Sequence, residues 1–459
     1  MQQTAQVSPR KSFYRNMCVL SIPIILQNLI NAAVNSADTV MLGFVSKEAL
    51  SASSLANQVY FILTIVFYGL ISGASMLTAQ YWGKGDKVTI ERVIGIALRF
   101  SIAAGAMFAC VTWCAPEMLM RIYTSEEPII REGVEYLRII AITYVLSGFS
   151  MAYLNIMRSV ERVMLSTVTY FISLGLNVLL NAAFIFGWFG EPMGLKGVAI
   201  ATVIARCVEV CICLVDASTN KVARVRLKYI LDFKGSKVLM KDFLRFALPT
   251  MGNEIVWSVG FSAYSAILGH MGSDAVAANS VVSVARNLGS CGCFGISNAT
   301  AVMLGKAMGQ NRLEEAEVDA KRSLILSLVT GALGGGVILL CGPVLVRFMP
   351  ALSGKALEYL NFMLWINAYY VIGQAMNTTF ICGIFRAGGD AKFGFYCDII
   401  DMWVFSIPLG ILAAFVLKLS VQWVYFLICL DEFVKMPFVF HRYRSKKWLA
   451  NITRDNLEA

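Results

Sequence analysis

Histidine is almost missing from this chain: His270 and His441 are the two in 459 residues. Neither sits beside a nucleophile or a second metal ligand, which removes histidine-dependent hydrolysis and zinc catalysis from the reading. Charge is scarce as well, 15% Asp, Glu, Lys and Arg against 58% apolar residues, and that balance excludes an ordinary soluble domain. The twelve cysteines form no Cys-x-x-Cys pair and lie almost entirely inside apolar stretches, so neither a zinc ribbon nor an extracellular disulfide framework is indicated. Cys211 and Cys213, like Cys291 and Cys293, are two apart and point to different helix faces, as small packing residues do. Gly83 and Gly85 followed by Lys87 lack the spacing of a phosphate-cradling loop, which excludes a nucleotide site. No repeated filter loop speaks for a channel.

What the chain has is apolar length. Stretches able to cross ~30 Å of hydrocarbon fall at about 17–40, 50–78, 93–114, 134–157, 165–187, 195–216, 243–268, 275–304, 322–342, 357–384, 393–417 and 421–441. Basic residues orient them. Lys221, Arg224, Arg226, Lys228, Lys234, Lys237 and Lys241 crowd residues 217–242, and Arg442, Arg444, Lys446, Lys447 and Arg454 crowd the tail. By the positive-inside rule both termini and the central linker are cytoplasmic, in a plasma (inner) membrane. The net charge of +10 follows from this asymmetry and is no nucleic-acid footprint. Arg10, Lys11 and Arg15 imitate a signal peptide, but the apolar segment after them is too long and no small-residue cleavage site ends it.

The chain also repeats itself. At an offset of 226 residues Pro23 falls on Pro249, Gly43 on Gly269, Gly69 on Gly295, Gly83 on Gly309 and Glu91 on Glu317, and later Arg158 meets Arg386. Six spans per copy is an even number, so both copies enter from the cytoplasm and run parallel. The expectation is an all-α polytopic membrane protein with twelve transmembrane helices in two parallel-repeat six-helix bundles. Its parts are a cytoplasmic segment 1–16, bundles 17–216 and 243–441, a basic linker 217–242 and a tail 442–459. With two halves already in one chain, a monomer is expected.

The string Leu20-Ser-Ile-Pro-Ile-Ile-Leu-Gln-Asn, then Asn35-Ser-Ala-Asp-Thr-Val-Met-Leu-Gly and Ala79-Gln-Tyr-Trp-Gly-Lys-Gly-Asp86, resembles the first two helices of the MATE family (multidrug and toxic compound extrusion). Ala247-Leu-Pro-Thr-Met-Gly-Asn-Glu-Ile-Val-Trp257 and Gly305-Lys-Ala-Met-Gly309 resemble it in the second copy. The resemblance covers nearly the whole chain. It implies an antiporter, not an enzyme, in which inward Na⁺ or H⁺ flow drives export of amphipathic, often cationic small molecules, with no cofactor. A lipid-linked oligosaccharide flippase of the same wider superfamily is the alternative.

An ionisable group at mid-bilayer costs ~3 kcal/mol and is a functional hypothesis by default. Asp38 matches the helix-1 aspartate that the family uses in cation or proton coupling; the bland reading is an interfacial carboxylate. Glu254 and Asn253 follow Pro249 as Asn28 and Gln27 follow Pro23, each proline opening a gap in its helix's hydrogen-bond ladder. Pro23 and Pro249 are thus hinge candidates, Gln27 and Asn28 cavity candidates, and Glu254 with Asn253 a coupling pair. Na⁺ at Glu254 or Asp38 is the one metal possibility. Asp398 and Asp401, three apart, either couple or form an interfacial pair near Arg386 and Lys392. Asn177 and Asn181 share a helix face. The family motif often carries Asp at the second position; here an amide, which cannot carry a proton, stands there. Cavity lining and plain interhelical hydrogen bonding both remain open for them. Arg286 is expected to pair with Glu254 or a helix-11 aspartate, or else to act in the mechanism or mark an anionic substrate. Arg206 with Glu209, and Asp431 and Glu432 with Lys435, read as pairs within their own helices.

Overall fold

The structure is a computed structural model of the whole chain. It describes residues 9–43, 45–188, 190–220, 222, 224–232, 237–348 and 354–455, without the side chains of 9–11, 35–40 and 343–348. Asp38 therefore lies in a described helix, but its side chain falls outside the described residues. Those residues are overwhelmingly helical and include no strand. The first nine helices are α1 Pro9–Gly43, α2 Lys47–Lys84, α3 Lys87–Cys114, α4 Pro116–Arg121, α5 Glu127–Ser159, α6 Val163–Ile185, α7 Gly194–Thr219, α8 Leu227–Leu231 and α9 Lys237–His270. Then come α10 Ser273–Gly309, α11 Leu313–Phe348, α12 Gly354–Thr378, α13 Ala391–Asp398, α14 Ile407–Ile411, α15 Val421–Ile428, α16 Asp431–Val434 and α17 Met436–Arg444.

Among the described residues nine helices are long and apolar enough to cross a membrane. The three expected spans outside that set are 243–268, 357–384 and 421–441. Two spans depart from plain α-helix: the tenth ends in a π-helix over Thr379–Phe385, and the eleventh winds as one over Ile399–Ser406 and Leu412–Val416. Pro408 has no N–H to return to residue 404, so the ladder is already broken where the wide turns sit. The twelfth span, expected as one helix over 421–441, is three pieces instead. Leu430 and Lys435 separate them, and Pro437 opens the last.

Two compact units emerge, and they do not follow the repeat boundaries. One comprises residues up to Ile25 with Gly252–Thr453; the other comprises Leu26–Met251 with the last residues from Arg454. The cuts at 25/26 and 251/252 keep the 226-residue offset and fall two residues past Pro23 and Pro249. Where bundles 17–216 and 243–441 were expected, each unit thus holds the pre-proline half of the other repeat's first helix.

Repeated glycines seat those halves. In the second unit a Cβ on Gly69 of α2 would lie 2.3 Å from Cβ and 2.5 Å from Cα of Met251, and one on Gly73 would lie 2.7 Å from the Ala247 backbone. In the first unit Gly295 of α10 meets Ile25 in the same way, its imagined Cβ 2.3 Å from Cγ1. Gly69 and Gly295 are repeat equivalents, and so are Met251 and Ile25. Gly331, Gly334 and Gly335 likewise let α11 close on α10 and α12.

Candidate functional site

Within the first unit, the polar residues of four separate spans join into one buried chain. It begins at Glu254 and Asn253, one turn after Pro249, where the guanidinium of Arg386 donates from Nη2 to Glu254 Oε1 and to Asn253 Oδ1, both at 2.9 Å. Arg386 follows the π-helical stretch Thr379–Phe385, and its side chain turns inward, 11% exposed. Asn253 passes the connection on, donating from Nδ2 to Asp398 Oδ2 at 2.6 Å. Asp398 Oδ1 lies 3.4 Å from the ammonium of Lys435, which also has Glu432 Oε2 at 3.1 Å and Asp401 Oδ2 at 3.8 Å. Asn377 of α12 donates to Glu432 Oε2 at 2.8 Å. Asp431 Oδ1 accepts the backbone N–H of Glu432 at 2.8 Å, and its Oδ2 accepts the Tyr264 hydroxyl at 3.2 Å.

Five carboxylates and two cations are thus linked without a break, and every member except Glu254 and Arg386 is less than 9% exposed. Charges removed from water at this density persist only when paired and hydrogen-bonded. The helix interruptions put them there. Lys435 is the junction between α16 and α17, and Asp401 sits within the π-helical stretch, so neither is held to an unbroken helix face.

The second unit repeats the opening contact without the acid. Arg158 at the end of α5 donates from Nη2 to Gln27 Oε1 at 3.1 Å, as its repeat equivalent Arg386 does to Asn253. Asn28, half-buried, stands where the other copy has Glu254. The arginine and amide contact belongs to the scaffold; the carboxylate is an addition to one copy. Asn181 donates to Asn177 Oδ1 at 3.3 Å, and Asn177 to Thr202 of α7 at 3.3 Å, which is interhelical bonding between α6 and α7. Replacing Asn181 by alanine is expected to cost about 1 kcal/mol in thermal unfolding while transport stays within twofold; a collapse of transport at unchanged stability would assign it a transport role instead. Arg206 pairs with Glu209 at 2.8 Å within α7, as expected, and Ser173 donates to the same carboxylate oxygen at 3.0 Å.

Two expectations on pairing are corrected. Arg286 does not serve as partner to Glu254, Asp398 or Asp401: Arg386 takes the first and Lys435 the other two. Its guanidinium lies 4.8 Å from the centre of the Phe261 ring. The bland reading of Asp398 and Asp401, an interfacial pair near Arg386 and Lys392, gives way because both carboxylates are buried and face Lys435. Lys435 does bond Glu432 within its own segment, but the in-helix pairing is only part of its environment. With Glu254 on Arg386, a sodium ion there would compete with a guanidinium. Among the described residues no group of three or more carboxylate, histidine or cysteine side chains is arranged to hold a metal ion with the side chains as they stand, the Lys435 ammonium in place.

A family model described as MatE matches residues 23–183 and 249–412, two segments that begin at the two prolines. The chain is 25% identical over 453 residues to the probable multidrug resistance protein NorM of Thermotoga maritima, covering 97% of this chain and 95% of that one. It is 22% identical over 438 residues to the uncharacterized transporter YisQ of Bacillus subtilis, with 94% of each covered. A crystal structure described as MATE in the bent conformation superposes with a TM-score of 0.84 at 20% identity, over 96% of each chain.

Proposed function

We propose, on the premise that this chain belongs to the MatE family and is a multi-pass membrane protein, that it is a secondary active efflux antiporter. It exports amphipathic, cationic small molecules across the inner (plasma) membrane in exchange for Na⁺ or H⁺, as a monomer with both termini cytoplasmic. What supports the reading is the buried chain from Glu254 to Asp431. Five carboxylates linked to two cations inside an apolar unit are costly for stability, and ionisable groups within membrane spans mark ion and substrate pathways by default. The names of relatives such as NorM, a probable multidrug resistance protein, agree with export of drug-like compounds.

Alternating access then needs two states that differ in affinity for both the ion and the substrate. Because coupling is reciprocal, ion binding from outside weakens substrate binding by the factor that substrate weakens ion binding. Glu254, 27% exposed, is the member of the chain most open to exchange. Asn253 transmits its state to Asp398 and Lys435. Asp38, in the first repeat, is the second coupling candidate. Twelve transmembrane helices remain the working topology. A lipid-linked oligosaccharide flippase is favoured by one observation: Arg286 lies over the Phe261 ring and, among the described residues, no carboxylate pairs with it.

The test is export of a fluorescent cationic dye from proteoliposomes under a sodium gradient alone and a pH gradient alone. Glu254→Gln is expected to lower gradient-driven export at least tenfold while dye binding persists, and Asp38→Asn to do so to a lesser extent. Wild-type rates in both variants would remove the coupling assignment, and binding of a polyprenyl pyrophosphate with no dye export would support the flippase.

A further inference from the structure

The ammonium of Lys435 occupies the centre of its cluster, 3.1, 3.4 and 3.8 Å from oxygens of Glu432, Asp398 and Asp401. Its side chain is 5% exposed, and carboxylates surround it from two different spans. This is where an exchanged metal cation would have to sit to use those oxygens, and a fixed positive charge already stands there. Asp401 adds an independent observation. Its side chain is 3% exposed, and neither carboxylate oxygen accepts a hydrogen bond. Asn377 Oδ1, on a side chain that donates to Glu432, is likewise buried with no donor. One ammonium cannot balance Asp398, Asp401, Asp431 and Glu432 together, and buried like charges exclude full ionisation. A proton fits between such oxygens without needing a cavity.

We propose that Lys435 is a tethered counter-cation that excludes sodium from this cluster, and that Asp401 is the carboxylate that takes up and releases the exchanged proton. The step is a simple transfer. Hydronium on the outward side loses one O–H bond as an O–H bond forms on an Asp401 oxygen, leaving water; on the cytoplasmic side that carboxyl O–H bond breaks and a water takes the proton as hydronium, with no electrons moved. The groups that face the cluster are Tyr264 from α9, Asn377, Tyr369 and Tyr370 from α12, Cys382 and Arg386 beyond it, Cys397 and Asp398 from α13, and Cys429 beside Asp431 and Glu432. Arg286 from α10 acts on Tyr370, on Tyr425 of α15 and on Cys429. This assignment rests on the antiport reading above and chooses the ion within it.

The experiment uses full-length protein. In detergent, the melting temperature is compared in sodium chloride and choline chloride at equal ionic strength; in proteoliposomes, dye export is driven by each gradient separately. Wild type is expected to melt alike in both salts and to respond to the pH gradient. Lys435→Met, which removes the charge and keeps the length, is expected to melt several degrees higher in sodium chloride than in choline chloride. Asp401→Asn is expected to lose at least tenfold of pH-driven export with dye binding intact. Sodium-dependent melting or sodium-driven export by wild type overturns the proposal without any variant, which also covers a Lys435→Met protein that fails to fold. A folded Lys435→Met indifferent to sodium, or full pH-driven export by Asp401→Asn, overturns it too. If neither gradient drives the wild type, the antiport reading itself has failed.

Discussion

Arg386→Leu is expected to remove transport and to destabilise the protein by ~3–5 kcal/mol, because it leaves the Glu254 carboxylate charged without its partner. One guanidinium nitrogen serves both Glu254 and Asn253, so its loss also frees the amide that positions Asp398. The loss should be partly reversible. In Arg386→Leu with Glu254→Leu, both charges are gone and the pocket is apolar, so most of the stability should return while dye export stays at least a hundredfold down. Thermal unfolding of the four proteins of this cycle, followed alongside export, separates the two roles. Equal destabilisation in the single and double variants would mean that the arginine acts through packing alone.

Gly69→Val is expected to abolish folded protein. Its Cβ would meet the backbone of Met251 at 2.5 Å, and a backbone cannot rotate away as a side chain can. Overpacking by a single methyl group already costs ~1–3 kcal/mol, and valine adds two more carbons. Gly295→Val should be milder, since the atom in its way belongs to the Ile25 side chain. Size-exclusion profiles of fluorescently tagged protein read the difference, and Met251→Gly should recover part of the Gly69→Val loss. Comparable damage from the two valines would contradict the unequal contacts.

Much of this was legible in the residues. Apolar length disclosed the long helices, because a crossing segment needs ~20 predominantly apolar residues, and the repeat disclosed the 226-residue offset that the cuts between the units keep. Asn253, Glu254, Asp398 and Asp401 stood out because a polar group is expensive in such a run, and all four lie in the buried chain. Their partners did not. Lys435 has an acidic neighbour three positions back, which is sufficient to explain it within one helix, and although Pro437 marks a break there, it does not say that the ammonium turns to the carboxylates of another span. Arg386 stands at a helix end, where an arginine commonly points to water. Its repeat partner Arg158 carried the signal, since both arginines stand opposite an amide four residues after a proline. The exchange of half-helices left no mark on composition, because either half is equally apolar in either unit.

That exchange has a consequence for how the protein is made. The unit built mainly from the first repeat is incomplete until Met251 has been synthesised, since residues up to that point fill the place beside Gly69 and Gly73. The ribosome must therefore deliver more than half the chain before either unit can close, and the helices of the first repeat wait in the membrane with a gap in their packing. A gene carrying a single repeat would encode a bundle missing one of its own walls unless a second copy donated it. Fusion of the two repeats places that donor on the same polypeptide.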